Sequence, residues 1–289
     1  MGWLSNRGRE ECMKAEMNTI KLEIKRSFRS RGFLIAVIIG IVCILYKNID
    51  FYIKIREYYE AFPKGEFYEE LNKQTFYSVW LVGDFTKAIT MYIFYFLGLI
   101  VTIPFGVSYY LDKKKGYVKN ICVRAGRKSY LKAKFTAVFL SGGVAVLVPV
   151  LLDFLFSKIW IPHDFVYMPF TILNTRSEWG VFVIDHLYIS AIIIFVAWFV
   201  FGGALATVSL VVSVIAEDYF TIMLTPFFLM LILIYIPNFV PDKLYKYFPY
   251  YFLSMFGDSN PIIGIVISGL MTILTFSSFY VAEAKKDIL

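Results

Sequence analysis

The chain has 289 residues, 58% of them hydrophobic and 19% aromatic, and only 18% carry a charge. Ordinary soluble domains are about 45–50% apolar and about 25% charged, and they do not contain long, nearly charge-free runs such as recur along this sequence. A soluble enzyme, a disordered chain and a disulfide scaffold are therefore excluded, which leaves an all-α polytopic integral membrane protein with no separate soluble domain.

The first element, residues 1–31, reads as an amphipathic helix. Met13, Met17, Ile20, Ile24 and Phe28 follow one another at spacings of 4, 3, 4 and 4, which lines one face of a 3.6-residue period. Lys14, Glu16, Lys21, Glu23, Lys25, Arg26 and Arg29 fill the remainder. A helix with an apolar stripe and basic flanks lies in the membrane interface. Ser30-Arg31-Gly32 breaks it before the first apolar run, 32–53. After its purest stretch, 33–46, stands Lys47-Asn48-Ile49-Asp50 rather than a small-residue cleavage site, so the segment is expected to stay as an anchor.

Five more runs follow, at 85–111, 135–156, 186–215, 220–240 and 262–281, each able to supply the roughly 20 residues a membrane crossing needs. Pro104 and Pro226 predict kinks in the second and fifth. Ser141-Gly142-Gly143, Gly202-Gly203-Ala204 and Gly264 with Gly269 predict close helix packing. The connector 54–84 is acidic and aromatic with a turn at Pro63-Lys64-Gly65, and 158–185 and 241–261 are shorter and also aromatic.

Charge sets the expected orientation. With the N-terminus inside, segments 1–31, 112–134, 216–219 and 282–289 hold 8, 9, 0 and 2 Lys/Arg, or 19 of the 29 in the chain. The positive-inside rule then places both termini in the cytoplasm. The net charge of +7 is read as a topological signal, and no nucleic-acid partner is expected because the basic residues sit beside the spans.

Several chemistries are missing. There is no P-loop, no H-E-x-x-H and no G-x-S-x-G. Cys12, Cys43 and Cys122 lack the spacing of a disulfide framework or a zinc site. His163 and His186 have no ligand cluster around them, so no metal is expected. Lys87, Asp153, Asp185 and His186 all fall near span ends. Asp153 stands 19 residues beyond Lys134, or roughly 28 Å along a helix, and is expected at the outer surface. Without charge at mid-membrane, ion-coupled transport has no visible pathway. The chain itself is read as non-enzymatic and free of cofactors.

The segment 112–134 is the most informative. Nine of its 23 residues are basic. Between the charges, Tyr117, Val118, Ile121 and Cys122 fit one face of a short helix that Gly126 would end. A helix this short is marginal alone, so it is expected to pack on the membrane surface or on a cytoplasmic protein. The second inner loop, Ala216-Glu217-Asp218-Tyr219, is read as a solvated turn.

At these residues the sequence resembles the ABC-2 type of permease, the membrane subunit of an ATP-binding-cassette transporter. Gly116, Lys119, Asn120, Ile121, Arg127, Tyr130 and Lys134 are similar to that family's coupling loop, and the Lys-Leu-Glu-Ile-Lys-Arg run at 21–26 is similar to the start of its elbow helix. Lys113-Lys114-Lys115, with Asp112 ahead of them, stand where the family often has an acidic residue.

The resemblance implies an N-terminal elbow helix, six spans and a coupling helix that contacts a separate ATPase through Lys113, Lys114, Lys115, Gly116, Tyr117, Val118, Lys119, Ile121, Arg124 and Arg127. Tyr117, Val118 and Ile121 would form the docking knob. ATP and Mg would be held by the ATPase partner. A second permease half, identical or related, and membrane lipids complete the expected partners. The aromatic content and a residue usage like that of low-GC Gram-positive bacteria suggest export of an amphipathic peptide or lipid-like substrate across a bacterial plasma membrane. Two other readings are a non-transporting scaffold or sensor whose basic loops bind lipid or a signalling partner, and a membrane-embedded enzyme.

Overall fold

The computed structural model describes residues 2–61, 80, 88–160, 177–254 and 260–284, and every regular element among them is helical. The Pro63–Gly65 turn, Lys87 and His163 lie outside the described residues. Helix α1 spans Gly2–Phe28 and α2 spans Arg31–Ala61. The joint between them is where Ser30-Arg31-Gly32 predicts it. The Ser30 hydroxyl accepts from the Phe33 amide at 3.0 Å and donates to the Pro104 carbonyl at 2.8 Å. It thereby caps α2 in the way an N-cap hydroxyl does, and pins the joint to the next element.

That element is the expected second span, and it is broken rather than kinked. Helix α3 covers Ala88–Thr102 and α4 covers Ser108–Lys114, with turns between them. Pro104 removes an amide and its ring clashes with the preceding turn. Gly106, two residues on, is itself a poor helix former. Together they stop the helix where one alone would have bent it.

Helix α5 covers Tyr117–Ala125 and α6 runs for 34 residues, Arg127–Trp160. After a short α7 at Glu178–Asp185 comes α8, Leu187–Val212. Helix α9, Tyr219–Tyr235, keeps its continuity through Pro226 and ends in a 3-10 turn, Ile236–Phe239. Asp218 caps it by accepting from the Thr221 amide at 2.7 Å, and the segment 216–219 leading into it is a short, largely exposed turn. A further 3-10 turn at Asp242–Tyr247, a short α10 at Pro249–Ser254 and α11 at Pro261–Ala284 complete the chain.

Five stretches among the described residues are long and apolar enough to cross a membrane: Arg31–Asp50, Arg127–Ile159, Leu187–Val212, Tyr219–Phe239 and Pro261–Ala284. The broken second run contributes a shorter apolar piece, Ile93–Thr102. The chain is thus a membrane-embedded all-α protein, since in lipid a helix satisfies its own backbone.

The bundle is built around α6 and α8, whose apolar stretches are more than half buried, whereas those of α9 and α11 are mostly exposed. Helix α8 packs on α6 and α11, α6 also receives α1 and α2, and α3 packs on α9. Lipid supplies no hydrophobic drive between helices, so close approach must come from small residues. Gly142 faces Ala206 across the α6–α8 crossing, and a Cβ on Gly203 would lie 2.8 Å from the Phe139 ring. Gly264 packs on Phe252, but Gly269 has nothing within 4 Å and is no packing site among the described residues. Leu34, Ile38 and Val42 on α2, with Val266 and Ile273 on α11, form part of the exposed apolar wall.

Candidate functional site

Helix α5 hangs between two glycines with positive φ, Gly116 at 70° and Gly126 at 79°. Side chains at both positions would be strained, so the glycines define where the nine-residue helix starts and stops. Its apolar face turns inward. Cys122 is buried, and Tyr117, Val118 and Ile121 are half-buried against the chain's own core. The element that was expected to need a membrane or a partner to pack on therefore packs on α4 and α6. Lys119, Asn120, Val123 and Arg124 occupy the opposite face, and Val123 is 84% exposed. A groove of about 770 Å³ separates α5 from α1, with Asn18, Leu22, Asn120, Ile121 and Arg124 in its walls.

Beneath α5 lies a set of four charges from three elements: the buried Glu23 of α1, Asp112 of α4 and Lys134 of α6, and the partly exposed Arg26 of α1. The Lys134 ammonium, fully buried, donates to Glu23 at 3.0 Å and to Asp112 at 2.5 Å. Arg26 grips both Asp112 oxygens, at 2.6 and 3.0 Å. The Tyr130 hydroxyl adds a bond to Asp112 at 2.8 Å, and the Tyr117 hydroxyl reaches Glu23 at 3.3 Å. Arg26 also lies over the Tyr117 ring, 4.5 Å from its centre, and Lys134 over that of Phe105 at 4.2 Å. Two carboxylates and two cations cancel, which is the condition for holding charge out of water.

The local ionisation follows from this geometry. Burial alone would raise the Asp112 pKa, but Lys134 and Arg26 outweigh it and hold the carboxyl below its ordinary value. Burial opposes the charge on Arg26, and Asp112 more than restores it, so the guanidinium stays protonated. The Tyr117 hydroxyl is pushed up by burial and by the Glu23 carboxylate, and the Cys122 thiol is pushed up by burial. Neither is a nucleophile at neutral pH.

A second cluster ties α11 to the same end of the bundle. Glu283, 1% exposed, accepts from Arg127 at 2.8 Å and pairs with Lys113 at 3.7 Å. Lys113 in turn lies over the Tyr109 ring. Lys113 on α4 and Arg127 at the start of α6 are therefore bonded within the chain, while Lys114 lies over Tyr110 and Lys115 is exposed.

On α1 the expected apolar stripe is only part of the picture. Met13 and Met17 are more than half exposed, and Ile20, Ile24 and Phe28 are half-buried. The face that docks into the protein is one residue round, at Thr19, Glu23 and Ser27, all buried. Glu16 extends it with an ion pair to Lys132 at 2.9 Å. Reading for apolar period alone passes over Glu23, Asp112, Lys134, Tyr130 and Glu283. One signal was available: Asp112 is the only acid in the strongly basic stretch 112–134.

The opposite end of the bundle also differs from expectation. Asp153 is buried and not at a solvated surface, because α2 packs on α6 there and brings Lys47 and Asn48 against it. Lys47 donates to Asp153 at 2.7 Å and the Asn48 amide donates to it at 2.8 Å. Lys47 and Asp153 are each no more than 1% exposed. No metal-ligating cluster of three His, Cys, Asp or Glu occurs among the described residues.

No family model, curated protein or solved structure matches the chain.

Proposed function

We propose that the chain is the transmembrane half of an ATP-binding-cassette exporter of the ABC-2 type, with six spans, both termini cytoplasmic, and α5 as the element that docks on a separate ATPase. The observation that carries this reading is α5 itself. It is a nine-residue helix stopped at both ends by positive-φ glycines, and its Tyr117 rests on the charged set that links α1, α4 and α6. A push on such a helix is passed on rather than absorbed. Tyr117 presses on Glu23 and Arg26, and these act through Lys134 on the long α6. Arg127 carries load to α11 through Glu283.

The contact surface differs from the expected knob. Since Tyr117, Val118 and Ile121 face the chain's own core, the ATPase would meet Lys119, Asn120, Val123 and Arg124, with the groove beside α1 available to a projecting side chain. ATP and Mg would bind in the ATPase. A second copy or a relative would close the translocation path, and the substrate would be an amphipathic peptide or lipid-like molecule leaving through a bacterial plasma membrane.

The test is co-purification in mild detergent from the native host, followed by ATP hydrolysis. A partner of ATPase size with vanadate-sensitive turnover supports the reading. Val123→Asp places a charge at an exposed position, so it should leave membrane insertion intact while uncoupling hydrolysis from transport. Unchanged transport by that variant would remove α5 as the docking element. A single band without hydrolysis under several gentle detergents would instead favour the scaffold or sensor.

A further inference from the structure

A second groove, of about 610 Å³, opens where the α1–α2 joint meets the break between α3 and α4. Arg26, Arg29, Lys115, Asp112, Ser30 and Tyr219 are among its walls. The charges there are unequal. Asp112 is taken up by Arg26, Lys134 and Tyr130. The Ser30 hydroxyl is used within the chain, between Phe33 and Pro104. The side chains of Arg29 and Lys115 are exposed and have no partner among the described residues. The groove thus presents two uncompensated cations, one just past the end of α1 and one just past the end of α4.

Its height in the membrane narrows the ligand. The exposed apolar wall begins at Leu34 and Ile35, three to four residues past Arg31, which is roughly 5 Å along the helix. On the other side, Phe220 is 68% exposed beside Tyr219. The groove therefore lies at headgroup level, with apolar surfaces rising from both flanks. Gly32 sits hard against the Ile103 carbonyl and leaves no room there for a side chain, so the floor is a fixed backbone contact. We infer that this groove holds the phosphate of an anionic phospholipid between Arg29 and Lys115, its acyl chains lying along α2 and Phe220. A free phosphate would satisfy the same cations, but the adjoining apolar walls favour the lipid. The inference needs only the membrane setting and is independent of any ATPase.

The experiment is thermal unfolding of the full chain in detergent, titrated with phosphatidylglycerol, with phosphatidylcholine of the same acyl chains, or with inorganic phosphate. Phosphatidylglycerol is expected to raise the midpoint above that reached with phosphatidylcholine. Each basic residue near an anionic headgroup contributes enough that losing two weakens binding roughly thirtyfold. In Arg29→Gln/Lys115→Gln the lipid concentration giving half the rise should increase by that factor. Arg29→Lys/Lys115→Arg, which keeps both charges, should retain the rise. So should Lys25→Gln/Lys128→Gln, which removes two exposed charges elsewhere. Three outcomes would overturn the proposal: no rise specific to phosphatidylglycerol, equal loss in both glutamine pairs, or a full rise with inorganic phosphate alone.

Discussion

Lys134 is the residue whose removal should be felt most. It is fully buried and its ammonium is shared by Glu23 and Asp112 at 3.0 and 2.5 Å. Lys134→Met keeps the length and apolar stem of the side chain and deletes only the charge. Arg26 then faces two buried carboxylates alone. Its contact with Asp112 is bidentate, but it reaches Glu23 only at 3.4 Å, so Glu23 is the group left without adequate compensation. Breaking a buried pair in this way costs about 3–5 kcal/mol.

Removing both partners is a different matter. Glu23→Gln/Lys134→Met leaves Arg26 with Asp112, a neutral pair, and replaces the rest by groups of similar volume. Such replacements are often near neutral, so the double variant should recover most of the loss and show a coupling energy of about 2–4 kcal/mol in the double-mutant cycle. The assay is reversible denaturant unfolding of the purified chain in detergent micelles. A loss below about 1 kcal/mol for the single variant, or a double variant no more stable than Lys134→Met, would refute the claim that these charges hold α1 to α4 and α6.

Three other outcomes follow from the geometry. Gly116, at φ 70° and ψ 5°, lies in the left-handed helical region that asparagine tolerates, so Gly116→Asn should cost under about 1 kcal/mol. Gly126, at φ 79° and ψ 146°, lies near a region open essentially to glycine, and Gly126→Asn should cost about 1–3 kcal/mol; equal losses in the same unfolding assay would count against that distinction. Because the folded pKa of Asp112 is depressed, its contribution is complete above the unfolded value of about 3.9 and is lost as the pH falls through the lower folded value. Asp112→Asn should therefore flatten the acid limb of a stability–pH curve, and an unchanged limb would mean that other carboxylates set it. At the far end of the bundle, Lys47→Met should cost about 3–5 kcal/mol because Asp153 is buried, whereas Arg56→Ala, whose pair with Glu60 is exposed, should leave stability essentially unchanged. Similar values for the two would argue that Asp153 is solvated.

Much of the framework is legible in the chain. The apolar runs become helices because composition over about 20 residues decides membrane placement, and the ends of α5 are set by two glycines whose conformation other residues avoid. The joint at Ser30 is likewise local. What could not be read locally is pairing. Glu23, Asp112 and Lys134 are spread over more than a hundred residues, and each looks like an ordinary charge at a helix end until the helices are brought together. The same holds for Lys47 and Asp153, which lie 106 residues apart. The apolar side of α5 is as visible as its glycines, but its direction is not, since a half-apolar helix turns inward or outward according to what its neighbours offer.

That direction matters for how α5 can work. An apolar knob facing out would dock by hydrophobic burial and leave the chain's own contacts unchanged. With the apolar side packed inward, docking must use the polar face, and whatever moves α5 strains the contacts behind it. Those contacts are not uniform. Cys122 and Val118 rest on dispersion, of which a gap of roughly 0.5–1 Å forfeits about a quarter to a half, whereas Tyr117 sits against Glu23 and Arg26, where the same displacement also breaks its hydrogen bond to the buried Glu23 carboxylate. A shift of α5 would therefore be resisted first by the charged set, and the elements that own those charges, α1, α4 and α6, would have to move with it. Weakening that set without unfolding it, as Tyr117→Phe would by deleting one hydroxyl, should loosen α5 relative to α6 while leaving the bundle intact. Faster amide exchange confined to Tyr117–Ala125 would show this, and exchange spread equally over α6 would mean that the two helices move as one body regardless of the Tyr117 bond.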